Sequence, residues 1–276
     1  MGNVCLVAAT LAFFAIGTAA RANSLTVSDL HVCLGGPEAQ SASACEKLVS
    51  DSYNSETASQ IFARRGDLLM KAGEFEKAAA SYSEAIKRLP RHWMYTKRGV
   101  AHDRAGRRAE AMEDWKTATA LDRRDSVASY NIGISLFAGG KCPEAVPYLQ
   151  ASYELERKSL RFALALAEVS LCTKNFDRAL KLFGQATNVP SKSSDEKDRA
   201  AVGYALALAG SGRATEALVA AEQIISTAPS LSRGHEARGV ALVFLNRFSD
   251  ARTAFTRAVE LDNSNKTARK LLQQIP

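Results

Sequence analysis

The chain has few aromatic residues (7%), only seven prolines and four histidines, and no Cys-x-x-Cys anywhere in its 276 residues. With strand-forming and turn-forming residues so scarce and Ala and Leu abundant, a β-sandwich is disfavoured and a mostly helical protein is expected. The histidines, at 31, 92, 102 and 235, are dispersed, which argues against a zinc site. No Gly-rich phosphate loop, nucleophile elbow or zincin helix occurs. Neighbouring carboxylates such as Glu113-Asp114 and Asp195-Glu196 would point about 100° apart on a helix and cannot share a proton. These shortages point to a protein that is not an enzyme and holds no cofactor or metal. An apolar fraction of 46% excludes wholesale disorder.

Long apolar runs are lacking too, apart from one. Val4 to Ile16 is uncharged and apolar, the length of a signal-peptide core, and small residues follow at Ala20-x-Ala22 and Thr18-x-Ala20. Residues 1–22 therefore read as a removed signal, with an uncleaved N-terminal anchor as the alternative. Gly2 and Cys5 hint at lipidation, but Leu6 stands where Ser or Thr is favoured. The expected location is exported, periplasmic or secreted. Removing the signal takes away Cys5 and leaves Cys33, Cys45, Cys142 and Cys172, an even number suited to an oxidising compartment. The net charge of +7 is uneven: residues 1–56 carry −3 and the remainder +10. A basic body could meet acidic protein, anionic polymer or nucleic acid, or simply be a solvated surface. Arg104, Arg107 and Arg108, with Arg123 and Arg124, cluster in it, though an export signal would take them away from nucleic acid.

An internal period organises the rest. A small residue recurs with an Ala twelve positions later: Gly66/Ala78, Gly99/Ala111, Gly133/Ala145, Ala167/Ala179, Ala205/Ala217 and Gly239/Ala251. Four residues beyond each Ala stand Tyr82, Trp115, Leu149, Phe183, Ala221 and Phe255. Successive anchors lie 33, 34, 34, 38 and 34 residues apart. Two amphipathic helices of about thirteen residues plus short turns fill such a unit. A small anchor lets the second helix approach closely, and the larger residue fills the space above it. Turn signals fall at Ala72-Gly73, Ala105-Gly106, Gly139-Gly140, Ser211-Gly212 and Leu245-Asn246, and Pro90 and Pro229 mark junctions between units.

On these residues the chain resembles the tetratricopeptide-repeat family. Arg65-Gly66-Asp67, Lys97-Arg98-Gly99 and Ala237-Arg238-Gly239 look like its Gly-bearing first helix. Leu121-Asp122 and Leu261-Asp262 look like its junction, with Arg123 and Asn263 replacing the usual proline. The pattern departs at Ala167 in repeat four and at an insertion around Ser191–Lys197 before repeat five. The resemblance implies an all-α, right-handed solenoid: six hairpins over 57–263, a capping helix over 264–276, and a cap over 23–56. That cap resembles the two-cysteine leader of small exported bacterial tetratricopeptide proteins, which implies a Cys33–Cys45 disulfide. In the repeat register Cys142 opens a second helix and Cys172 closes the following first helix. Antiparallel packing would bring the two together; the alternative is two buried thiols that never pair.

The family's concave surface is lined by first helices. Its offsets give Trp93, Asp103 and Arg104 in repeat two, and Tyr130, Ile134 and Phe137 in repeat three. Arg161, Leu164, Glu168 and Leu171 follow in repeat four. Repeats five and six add Arg199, Val202, Leu206, Arg233, Val240, Val243 and Phe244. An apolar centre edged by arginines would suit a peptide with apolar anchors and some acid; for Ile134, Leu164, Leu171 and Val240 the alternative is burial between helices. The family's Lys/Asn clamp for C-terminal carboxylates is not matched, since its positions hold Ala63, Asp67 and Lys97, with Asn131 alone fitting in part. The expected function is a scaffold holding a protein or peptide in the cell envelope. The alternatives are a basic surface for nucleic acid or anionic envelope polymer, or a regulatory subunit of an enzyme complex.

Overall fold

The structure, a computed structural model, describes residues 28–48, 54–189 and 193–275. The expected signal segment and the start of the insertion around 191–197 lie outside the described residues. Those described form helices and turns, with no strand among them. The chain divides into two compact units, 1–128 and 129–276.

Unit one holds α1 (residues 28–35), α2 (Glu38–Leu48), α3 (Ser55–Lys71), α4 (Phe75–Arg88), α5 (His92–Arg104) and α6 (Arg108–Leu121). Cys33, Cys45, Ala44 and Leu48 bury themselves against Ile61 of α3. Cys33 and Cys45 are joined, with Cα atoms 4.8 Å apart. Polar contacts fasten this cap: Arg64 Nε donates to the Cys33 carbonyl at 3.2 Å, and Arg65 makes a bidentate pair with Glu46 at 2.7 and 3.1 Å.

Unit two is built from α7 (Ser126–Ala138), which begins just before the division, α8 (Cys142–Leu155), α9 (Leu160–Cys172) and α10 (Phe176–Thr187). It continues through α11 (Ser194–Gly210), α12 (Ala214–Thr227), α13 (Ser232–Phe244), α14 (Phe248–Leu261) and α15 (Lys266–Gln274). The first helices α9, α11 and α13 pack side by side, each also against its own second helix. Cys142, the first residue of α8, is joined to Cys172, the last of α9, across a Cα separation of 6.1 Å.

The small anchors do the steric work the period suggested. A Cβ on Gly66 would stand 2.7 Å from the Tyr82 ring, and one on Gly99 2.5 Å from Trp115 Nε1. In unit two the same holds for Gly133 against Leu149 and Gly239 against Phe255, both at 2.5 Å. Repeat four departs: its Phe183 ring is met by Gly203 of the next first helix, where a Cβ would lie 2.3 Å away. Repeat five carries Ala221 at the matching place, buried among Val202, Ala205, Ile224 and Ala237.

Each hairpin turns through one device. The N–H groups of Gly73 and Glu74 bond back to the carbonyls of Met70 and Leu69, and the same double closure recurs at 106/107, 140/141, 174/175, 212/213 and 246/247. It needs one left-handed residue. Four turns use Gly, one uses Asn246 and one uses Lys174, both at φ 58°. Lys174 pays a steric toll that Gly does not. Lys174→Gly should therefore stabilise the protein by about 0.5–1 kcal/mol in denaturant unfolding; a loss would show that the lysine stem makes a compensating contact.

The junctions share a second device. Asp125 accepts the Ala128 N–H at 2.8 Å, capping α7, and also accepts from Thr96 at 2.6 Å and meets His92 Nδ1 at 2.8 Å. Burial pushes the Asp125 carboxyl up, but those three partners together hold it below its ordinary value. One repeat-length equivalent occurs in unit two. Asn265 caps α15 through Ala268 N–H and donates to Ser232 at 3.0 Å and Glu236 at 2.8 Å. Burial pushes the Glu236 carboxyl above its usual range, against the Asn265 hydrogen bond and the Arg233 charge. A raised carboxyl holds its proton more tightly in the folded state, so stability is lost as pH rises through the folded value. Glu236→Gln keeps an acceptor for Asn265 without the buried charge. It should raise stability at pH 7 by about 1 kcal/mol, an advantage that vanishes below the ordinary glutamate value of 4.5. Urea titrations of both proteins at two pH values check this.

Candidate functional site

The expected groove residues fall in both units and are placed differently in each. In unit one, Trp93 is half-buried on α5, and Asp103 and Arg104 are exposed at its far end. Lys97 Nζ stands 5.2 Å from the Trp93 ring centre and pairs with Asp67 at 2.6 and 2.8 Å. Asp67 also accepts from the Tyr82 hydroxyl at 2.6 Å, so that polar cluster is closed on itself.

Unit two holds the more open arrangement. On α7, Tyr130, Ile134 and Phe137 recur at helical spacing, which places them on one face. On α9 the matching stripe is Arg161, Leu164, Glu168 and Leu171. Tyr130, Ile134, Phe137 and Leu171 are partly buried against one core cluster. Leu164 is different: it is 0% exposed and belongs to the core itself. The expectation that it lines a groove is corrected, because α9 is apolar on nearly every side (Leu160 to Cys172) and is covered by its neighbours. Val202 on α11 is likewise buried.

Polar groups flank the apolar stripe. The Arg161 guanidinium lies over the Tyr130 ring at 4.5 Å and within 5.1 Å of Phe162, and the two rings are 5.0 Å apart. Such stacking holds an arginine in place while leaving its edge open. Arg161 is exposed, and among the described residues no carboxylate pairs with it. Arg199 on α11 instead makes a bidentate pair with Glu168 at 2.8 and 2.9 Å. Burial raises the Tyr130 phenol, the two guanidinium charges oppose that rise, and Glu168 adds to it. On α13, Arg233 is exposed near the start, Val240 is half-buried, and Phe244 is exposed at the end. Asn131 is half-buried on α7, and its Nδ2 has no hydrogen-bond partner among the described residues.

Two features of this site were absent from the sequence expectation: Phe162 beneath Arg161, and the closure of Glu168 on Arg199. The second had a signal. Opposite charges 31 residues apart fall nearly one repeat apart, and Asp67 and Lys97, at 30, obey the same rule. Among the described residues, no group of three His, Cys, Asp or Glu could hold a metal, and no helix is long and apolar enough to cross a membrane.

A family model for the tetratricopeptide repeat matches residues 64–126, 96–159 and 130–192. The chain carries tetratricopeptide repeats. The hairpin turns and the Gly239–Phe255 contact continue the same geometry beyond the matched stretch. A curated relative, small glutamine-rich tetratricopeptide repeat-containing protein 2 of Mycosarcoma maydis, is 27% identical over 117 residues, 41% of this chain. The match spans about a third of that relative (33%). Among solved structures, YrrB, described as a TPR protein with an unusual peptide-binding site, is 16% identical with a TM-score of 0.56, over 71% of this chain and 99% of its own. The C-terminal part of a TPR protein from Cytophaga hutchinsonii gives 0.61 at 16% identity, over 89% and 98%. Pseudomonas aeruginosa pilF gives 0.58 at 16%, over 80% and 100%. At these identities the likeness is one of fold: all-α, built from repeated helical hairpins. Repeats of this kind serve as scaffolds for protein–protein interaction.

Proposed function

We propose that the protein is a non-enzymatic scaffold that holds a peptide or protein segment on the first-helix face of unit two, and that it works in the cell envelope after export. The observation that carries the reading is the ledge of Tyr130, Ile134, Phe137 and Leu171, apolar side chains only partly covered, beside the exposed guanidinium of Arg161. Apolar anchors ringed by polar groups are what a peptide-binding surface requires. The peptide-binding site ascribed to YrrB, on a similar fold, supports it. Export rests on the apolar run Val4–Ile16 and on the two cysteine pairs, which stand joined across helices.

Crosslinking in the native envelope, followed by identification of what is attached, tests both parts. Phe137→Glu should abolish the crosslink while leaving helical content and melting temperature nearly unchanged, since the ring is only partly buried. A melting temperature that collapses instead would place Phe137 in the core and shift the face. The basic surface gives the competing outcome: every partner lost at moderate salt, with Phe137→Glu indifferent.

A further inference from the structure

The face of unit two has a direction. Arg161 and Arg233 are each the second residue of their helix, α9 and α13, and Arg199 occupies the matching place in α11 after its longer first turn. Phe137, Leu171 and Phe244 stand at the other ends of α7, α9 and α13. The arginines therefore form one edge and the apolar residues the opposite edge, two to three helical turns apart, about 10–15 Å. The edges differ also in what they lack. Arg199 is satisfied by Glu168, whereas among the described residues no ion pair forms at Arg161 or Arg233, although the Arg233 charge reaches the buried Glu236 carboxyl three residues on. Phe244 is 54% exposed. Stacking on Tyr130 and Phe162 keeps the Arg161 guanidinium ordered with its hydrogen-bonding edge free.

The geometry points to an occupant of stated chemistry: a segment of another protein that sets an Asp or Glu carboxylate on Arg161 and an apolar side chain on Phe137 and Leu171. This rests on the proposed groove and adds a polarity to it. In an extended segment the two side chains would be four residues apart, since side chains alternate faces and the chain rises about 3.3 Å per residue. Charge complementarity argues the acid: residues 129–276 carry 19 Lys and Arg against 14 Asp and Glu, an excess that repels a basic segment, and Arg161 is the cation on this face that is stacked on aromatic rings and has no ion pair among the described residues.

The test is a selection from a display library of random twelve-residue segments on the full mature chain, then anisotropy titration of the selected segment carrying a fluorescent label. The expected result is enrichment of Asp or Glu four positions from Leu, Ile or Phe. Replacing that acid by its amide should weaken binding at least tenfold in the native chain and by less than twofold in Arg161→Gln. Arg161→Glu, checked for unchanged helicity, should select Lys or Arg at the same position. Enriched segments without an acid, or an equal loss from the amide in Arg161→Gln, overturn the polarity and leave the groove standing. No enrichment over an unrelated protein, with the fold intact, overturns the groove and this inference together.

Discussion

Gly203→Val should destabilise the protein by about 3–5 kcal/mol, a larger loss than a helical glycine ordinarily permits. Gly in a helix interior is usually a weakness, and Ala there gains about 1 kcal/mol. Gly203 reverses that sign because a Cβ would stand 2.3 Å from the tip of the Phe183 ring. The ring cannot retreat: it is 0% exposed and shares its cluster with Leu182, Ala186 and Ala200. Gly184, on the helix that carries Phe183, makes the internal control. A Cβ there would meet only Tyr204, at an ordinary 3.5 Å. Gly184→Ala should then stabilise by a few tenths to about 1 kcal/mol. Phe183→Leu, itself costly, should recover part of the Gly203→Val loss in a double-mutant cycle. Additive losses would mean that the two residues do not press on each other and that repeats four and five are packed otherwise. Denaturant unfolding of the four proteins decides it.

That contact also marks the boundary of what a reading of the sequence could reach. The period of about 34 residues exposes the hairpins because each repeat buries a small residue under a large one within itself, as Gly99 does under Trp115. Where the partner is the next repeat, the period is blind: Ala167 looked like a weakened anchor, and nothing local showed that Gly203 takes over the Phe183 ring. Turns followed the same rule. Five carried Gly or Asn at the left-handed position and were legible; the sixth rests on Lys174, whose type gives no such signal. Sequence offsets also set Tyr130, Ile134 and Phe137 on one stripe of α7 and Leu164 and Leu171 on one stripe of α9, yet could not sort half-buried from fully buried. Leu164 and Leu171 occupy the same stripe of α9, and only the second is open. The difference lies in how deeply α9 sits between its neighbours, a tertiary fact. Charge was legible one residue at a time and illegible in pairs. Arg161 and Arg199 look alike in sequence, but one is held by aromatic rings with its edge free and the other is consumed by Glu168.

Loss of the Cys142–Cys172 link should reach both the stability of the protein and the proposed binding face. A bridge closing 30 residues restricts the unfolded chain by about 3–4 kcal/mol in the chain-entropy account. Cys142→Ala with Cys172→Ser suits the two environments, since Cys142 is 4% exposed and Cys172 lies at the surface. The double variant should lose roughly that amount in denaturant unfolding, and a dithiol reductant should bring the native chain down at least as far. Alkylation of the native chain without reductant should tag none of Cys33, Cys45, Cys142 and Cys172; two or more tagged thiols among these four would remove the premise. The consequence for binding follows from position. The link fastens the start of α8 to the last residue of α9, next to Leu171 and at the apolar edge of the face. Arg161, at the opposite end of α9, keeps its support from Tyr130 and Phe162. A bound segment in the double variant should therefore lose the affinity its apolar residue supplies and keep what its carboxylate supplies. Truncating the apolar residue to Ala would then cost much less than in the native chain, while neutralising the acid would cost as much as before.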